Sequence, residues 1–187
     1  MIRFDHVTFG YVPERAVLRE FSLEVPSGGR VCLTGASGQG KTTALRLLMG
    51  LERPWSGTVT LPEGTRLAAV FQEDRLLPWK TVLENAALFG GWEAARHWLA
   101  AVGLDECQDA LPEALSGGMR RRAALARALA HPFDVLVLDV ALTGLDEAAR
   151  ERCLAAIDAA VGPRTLVMAC HELREAEALG AAAAAIT

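Results

Sequence analysis

Apolar and polar side chains alternate along IRFDHVTF (2–9) and again along AVLREFSLEV (16–25), the period of a strand with one face buried. PSGG (26–29) reads as a turn. From there the texture changes. RVCLTG (30–35) is a short apolar strand that runs straight into a glycine-rich loop, and TTALRLLMGL follows with Leu45, Leu48 and Met49 at helical spacing, closed by Gly50 and Pro54. TVTL and LAAVFQ predict two more strands. Between 81 and 110 the pattern is helical, as TVLENAALF and WEAARHWLAAV, with breaks at Gly90, Gly91 and Gly103. MRRRAALARALA predicts a helix that starts after SGG and stops at HP. VLVLD (135–139) and TLVMAC (165–170) are apolar throughout, the texture of strands covered on both faces. EAARERCLAAIDAAV and ELREAEAL read as helices, and the tail AAAAAIT fits either a last edge strand or a frayed end. Strands that alternate with helices predict a parallel sheet covered on both sides. The stretch 73–130, helical and without an obvious strand, reads as an insertion between two sheet strands.

Composition adds boundaries to this pattern. The chain has 187 residues, enough for one domain with a real core. A net charge of -4 gives no sign of a nucleic-acid surface. The densest basic spot, Arg120–Arg122, reads as a solvated helix face. No run of 18 apolar residues is present to span a bilayer, and MIRFDHVTF lacks the apolar core of a signal peptide. Cys32, Cys107, Cys153 and Cys170 are far apart in sequence and form no CxxC pair. Three of them sit in apolar segments, which predicts buried, reduced thiols. The histidines show no metal-ligand spacing.

The chemistry begins at GASGQGKT (35–42), which matches GxxxxGK[ST] between a strand and a helix, with Thr43 next. Gly35, Ala36, Ser37, Gly38, Gln39 and Gly40 form a loop whose glycines let backbone N–H groups close around phosphate oxygens. The helix starting near Lys41 turns its positive end to the anion. Lys41 adds a compact charge, and the Thr42 hydroxyl suits magnesium. LSGG (115–118) offers a second helix start, with Ser116 as N-cap and Gly117 and Gly118 behind it.

Taken in this order, phosphate loop, LSGG and VLVLD resemble the ATP-binding cassette family, the nucleotide-binding subunits of ABC transporters, over essentially the whole chain. The resemblance implies an α/β P-loop NTPase fold, with a mixed central sheet, an N-terminal antiparallel β subdomain and a helical insertion at about 73–130 in a single domain 1–187. It implies ATP and magnesium as cofactors. Tyr11 matches the aromatic that stacks on adenine, and Gln72 in VFQEDRLLPW the glutamine that touches magnesium. Asp139 matches the carboxylate that holds the metal through water. Asp146 ends the LTGLD loop that crosses between subunits, and His171 matches the histidine on the terminal phosphate. Lys41, Gln72 and His171 are thus the expected catalytic set, and Thr42, Gln72 and Asp139 the metal set. Two such cassettes face each other head to tail, with ATP held between one phosphate loop and the other LSGG helix. FQEDRLLPWKTVLEN resembles the importer branch for nitrate, sulfonate and taurine, where it helps form the groove for a helix of the membrane permease. The expected place of work is therefore the cytoplasmic face of a membrane, without a span. The chain ends soon after His171, so no C-terminal regulatory domain is expected.

Two positions depart from the family pattern. Val140 and Ala141 stand where glutamate and proline follow the strand aspartate. That glutamate is taken to orient and polarise the attacking water, and losing a general base costs about 10²- to 10⁴-fold in rate. His171, Gln72 and Glu172 are the polar residues left to substitute for it. Met119 replaces the glutamine after LSGG, a lighter change because the backbone still serves the helix start. Binding of Mg-ATP with slow hydrolysis is expected. The alternative is a non-hydrolytic, nucleotide-gated regulatory or scaffolding cassette. A chromosome or repair ATPase would carry a long coiled-coil insertion, and a small-molecule kinase has no use for LSGG.

Overall fold

The computed structural model describes residues 1–170 and 172–186, and it divides into two compact units. The first comprises Met1–Leu67, Asp134–Asp139 and the chain from Pro163 on; the second comprises Ala68–Phe133 and Val140–Gly162.

The first unit holds a three-stranded antiparallel sheet in the order β2-β1-β4, with β1 at Ile2–Phe9, β2 at Leu18–Val25 and β4 at Ser56–Thr60. Its apolar side chains do not alternate strictly. Ile2, Phe4, Val7 and Phe9 are buried, so the period of two skips one place between Phe4 and Val7. A bulge makes this possible: both ladders lose register there, and His6 takes a φ of 48°. The bulge presses its carbonyls on β4. A Cβ at Gly57 would lie 2.3 Å from the His6 oxygen and 2.4 Å from that of Asp5, so only glycine fits. Phe4 and Phe21 close the inner face edge to face at 5.4 Å.

The same unit holds parallel strands in the order β6-β7-β3-β8: β3 Arg30–Thr34, β6 Val135–Asp139, β7 Thr165–Ala169 and β8 Ala182–Ala185. All five residues of β6 and all five of β7 are buried, as their unbroken apolar character predicts. The alanine tail resolves as β8, a strand paired in parallel with β3 from Ala182 opposite Val31. Helix α1 (Lys41–Leu48) leaves the loop after β3, and α6 (Leu173–Ala178) precedes β8.

The second unit opens within β5 (Leu67–Val70) and is otherwise helical: α2 Val82–Ala86, α3 Gly91–Ala101, α4 Gly117–Ala130 and α5 Glu147–Val161. Helix α2 begins with a reciprocal cap, Thr81 taking the Glu84 N–H and Glu84 taking that of Thr81. Asn85 is fully buried yet satisfied: its oxygen accepts from Leu77 N–H, and its amide donates to the carbonyls of Leu77, Lys80 and Thr81. One buried amide thus pins the RLLPWKT stretch.

Arg120–Arg122 are not a solvated face, and this corrects the expectation from sequence. Arg120 donates to the Leu115 carbonyl and Arg121 to that of Val140. Arg122 donates to the Val102 and Gly103 carbonyls at 2.8 and 2.9 Å, closing the C-terminus of α3. Arg121 also pairs with Asp74 at 2.8 Å. The Arg121 and Arg122 guanidinium forks on α4 reach carbonyls distant in sequence, which a local run of charge does not reveal.

Candidate functional site

In the first unit the loop 35–40 joins β3 to α1, and it carries backbone angles that side chains resist. Gly40, the residue before α1, has φ 97°, and a Cβ there would meet Leu18 Cδ2 at 2.9 Å and Val17 Cγ1 at 3.0 Å. Conformation and space both demand glycine. No side chain caps α1, and no acid lies in its first turn. Its leading N–H groups therefore keep the positive character that suits an anion. Lys41 is buried and its ammonium donates to the carbonyls of Gly35 (2.7 Å) and Ala36 (2.9 Å), folding the charge across the loop. The Gln39 side-chain oxygen accepts the Ala36 N–H.

Four other sequence candidates come together here. The Thr42 hydroxyl donates to Asp139 at 3.0 Å, joining the first turn of α1 to the end of β6. Asp139 is buried at 4% exposure. A hydroxyl and a carboxylate side by side are the oxygen donors that magnesium takes, so these residues fit the ion. Tyr11 is exposed, and its hydroxyl lies 3.3 Å from that of Thr43. Its ring meets Phe9 edge-on at 5.1 Å, leaving it outside the core. Trp55 shares a shallow pocket with Tyr11, Gly10, Pro13 and Glu14. Sequence reading did not single out Trp55; its place beside a turn in front of β4 gave only a weak signal.

In the second unit Gln72 lies exposed in a bend just after β5. Ser116 caps α4, its oxygen accepting the Met119 N–H at 3.2 Å, as the sequence predicts. Asp146 caps α5 in the same way through Ala149 N–H at 2.8 Å. Val140 is buried with a φ of 53°, and among the described residues it is the one β-branched side chain with positive φ. Its carbonyl accepts from Arg121 at 3.3 Å. Neither Val140 nor Ala141 offers an acceptor for a proton from water. Trp79, in the stretch pinned by Asn85, is 71% exposed, and Phe89 and Trp92 are exposed as well. His171 lies outside the described residues.

A family model described as ABC transporter matches residues 18–143. The aliphatic sulfonates import ATP-binding protein SsuB of Escherichia coli (strain K12) is 48% identical over 148 residues, 73% of this chain and 57% of that protein. Aliphatic sulfonates import ATP-binding protein SsuB 2 of Pseudomonas aeruginosa (strain UCBPP-PA14) is 43% identical over 179 residues, 89% of this chain and 65% of its own length. The chain thus spans less than two thirds of these relatives. Among solved structures, the dimeric post-hydrolysis state of the ATP-binding cassette MJ0796 bound to ADP and Pi superposes with a TM-score of 0.86 at 25% identity, covering 95% of this chain and 91% of that one. A bacterial Atm1-family ABC exporter with ATP bound gives 0.85 at 28% identity, over 94% of this chain and 35% of that one. Sequence and fold lead to one conclusion: the chain belongs to the ABC transporter family.

Proposed function

We propose that this chain is the Mg-ATP-binding, energy-coupling part of an importer for sulfonate-like small anions, and that Val140 slows its hydrolysis of ATP. The observation that carries the reading is a contrast in one molecule. Lys41, Thr42 and Asp139 stand assembled on one set of elements, while the residue after Asp139 is an aliphatic side chain. Gly35, Ala36, Ser37, Gly38, Gln39, Gly40, Lys41, Thr42 and Thr43 hold the phosphates, with Tyr11 against adenine. Thr42, Gln72 and Asp139 hold magnesium, which when bound neutralises charge on the outer phosphates. Ser116, Gly117, Gly118 and Asp146 serve the nucleotide of a second cassette in a head-to-tail pair, and His171 completes the terminal-phosphate contacts. The whole chain acts as one nucleotide-binding domain on the inner face of a membrane. Permease subunits dock where Trp79 is exposed on a segment held in place by Asn85. The relatives named for sulfonate import support the cargo class.

A second reading, a regulatory cassette that closes on ATP without consuming it, is favoured by the burial of Val140. Single-turnover hydrolysis of [γ-³²P]ATP tests the role given to Val140. The Val140→Glu variant is expected to exceed the parent rate by about 10²- to 10⁴-fold. Equal rates would mean that the missing carboxylate does not limit turnover, and would remove Val140 as the ground for either reading.

A further inference from the structure

Two cysteines distant in sequence meet beneath the phosphate loop. Cys32 lies in β3, three residues before Gly35, and Cys170 directly follows β7. The parallel register sets Cys32 opposite Met168. Cys170 is two residues further on, so it shares the face of Met168 and Cys32. The sulfurs end 3.0 Å apart. Cys32 is fully enclosed, whereas Cys170 keeps 8% of its surface exposed. A disulfide spans about 2.05 Å, so closing the gap takes a movement of about 1 Å.

The two thiols are not equivalent. The hydrogen bond from Cys32 holds the Cys170 thiol below its ordinary pKa, and the Lys41 charge acts the same way, against burial. Cys32 is pushed up by that same hydrogen bond and by burial. Cys170, more accessible and more acidic, is the natural first nucleophile. At Cys153 burial outweighs the lowering charge of Arg122 and pushes the thiol up to about 12.

We propose that Cys32 and Cys170 are an oxidisable pair that a hydroperoxide closes to a disulfide, tying the strand that feeds the phosphate loop to the end of β7 and weakening nucleotide binding. The Cys170 thiolate attacks one peroxide oxygen. The O–O bond breaks, the other oxygen leaves with a proton as water or an alcohol, and Cys170 becomes a sulfenic acid. The Cys32 sulfur then attacks the Cys170 sulfur. The S–O bond breaks, and the departing hydroxide takes the Cys32 proton as water. Two thiols give up two electrons, and the peroxide accepts them. The disulfide itself rests on thiol geometry alone, while its effect rests on the proposed binding of Mg-ATP.

The test uses the full chain treated with hydrogen peroxide, then alkylated with N-ethylmaleimide in denaturant and mapped by mass spectrometry. The expected result is one cross-linked peptide pair containing Cys32 and Cys170, reversed by dithiothreitol and lost in Cys170→Ser. Oxidation at the half-buried Cys107, with Cys32 and Cys170 both still alkylated, would overturn the pair. In parallel, Mg-ATP affinity is measured before and after oxidation. A drop of about tenfold is expected, since a shift of about 1 Å at a positioned group costs 10²-fold in the severe case. Cys32→Ser should abolish the drop. Equal affinity in the oxidised protein overturns the link to the nucleotide. A reduced protein that binds no Mg-ATP overturns that link together with the functional reading, and leaves the cross-link result standing.

Discussion

The loop after β3 and the loop after β6 are both left-handed turns at the end of a buried strand, and they are built from opposite materials. The first places glycines at its positive φ angles, Gly35, Gly38 and Gly40. The second places a buried valine at φ 53°. A left-handed residue other than glycine costs about 1–2 kcal/mol, and a β-branched one is the least suited. Strain of this kind persists only where the surroundings over-determine the backbone. Here Arg121 holds the Val140 carbonyl, and Val140, Ala141 and Leu142 are all buried. The turn at 140 is therefore maintained by its neighbours and not by the preference of its residue.

The largest expected effect tests the first loop. Lys41→Ala should weaken Mg-ATP binding by about two to three orders of magnitude, measured by isothermal titration, because a buried charge with fixed partners is removed. Unchanged affinity would strip the loop of its assigned role. Next is the backbone itself. Gly40→Ala adds a left-handed penalty to a clash with Leu18 and Val17, and should lower unfolding stability by about 2–4 kcal/mol in urea. The second loop should answer differently. Val140→Gly loses buried surface but relieves the turn, so its net cost should stay within about 1 kcal/mol. Val137→Gly, in the middle of β6 and without positive φ, should cost about 3 kcal/mol. Equal losses at 140 and 137 would show that the turn holds no strain.

The smallest effect lies away from both loops. Arg66 donates to Asp134 through its backbone and side chain, and these bonds hold the Asp134 carboxyl down from 3.8 to about 2. A depressed carboxyl stabilises the fold above its unfolded pKa and loses that contribution as pH falls through the folded value. Asp134→Asn should therefore remove a small, solvent-screened contribution present at neutral pH, so that urea unfolding of parent and variant differs most above about pH 4 and converges as pH falls toward about 2.

How far the molecule was legible from its sequence follows from how local each signal is. VLVLD and TLVMA are strands by their unbroken apolar texture, and GASGQGKT carries its own context of strand and helix. Ser116 as a cap was visible because capping acts over three residues. The bulge at His6 was not, since it answers to partner strands on both sides of β1. β8 was ambiguous because a run of alanines has no pattern to read. Arg120–Arg122 were misread because their acceptors, Leu115, Val140, Val102 and Gly103, are set by the packing of helices and loops. Val140 was legible as an aliphatic residue after the strand aspartate, but its strained turn was not.

The cap at Ser116 has an electrostatic consequence. Its oxygen is turned inward to receive the Met119 N–H, which orients the lone pairs toward the helix. No acid lies in the first turn of α4, so the N–H groups that Ser116 leaves uncapped keep the partial positive charge of a helix start.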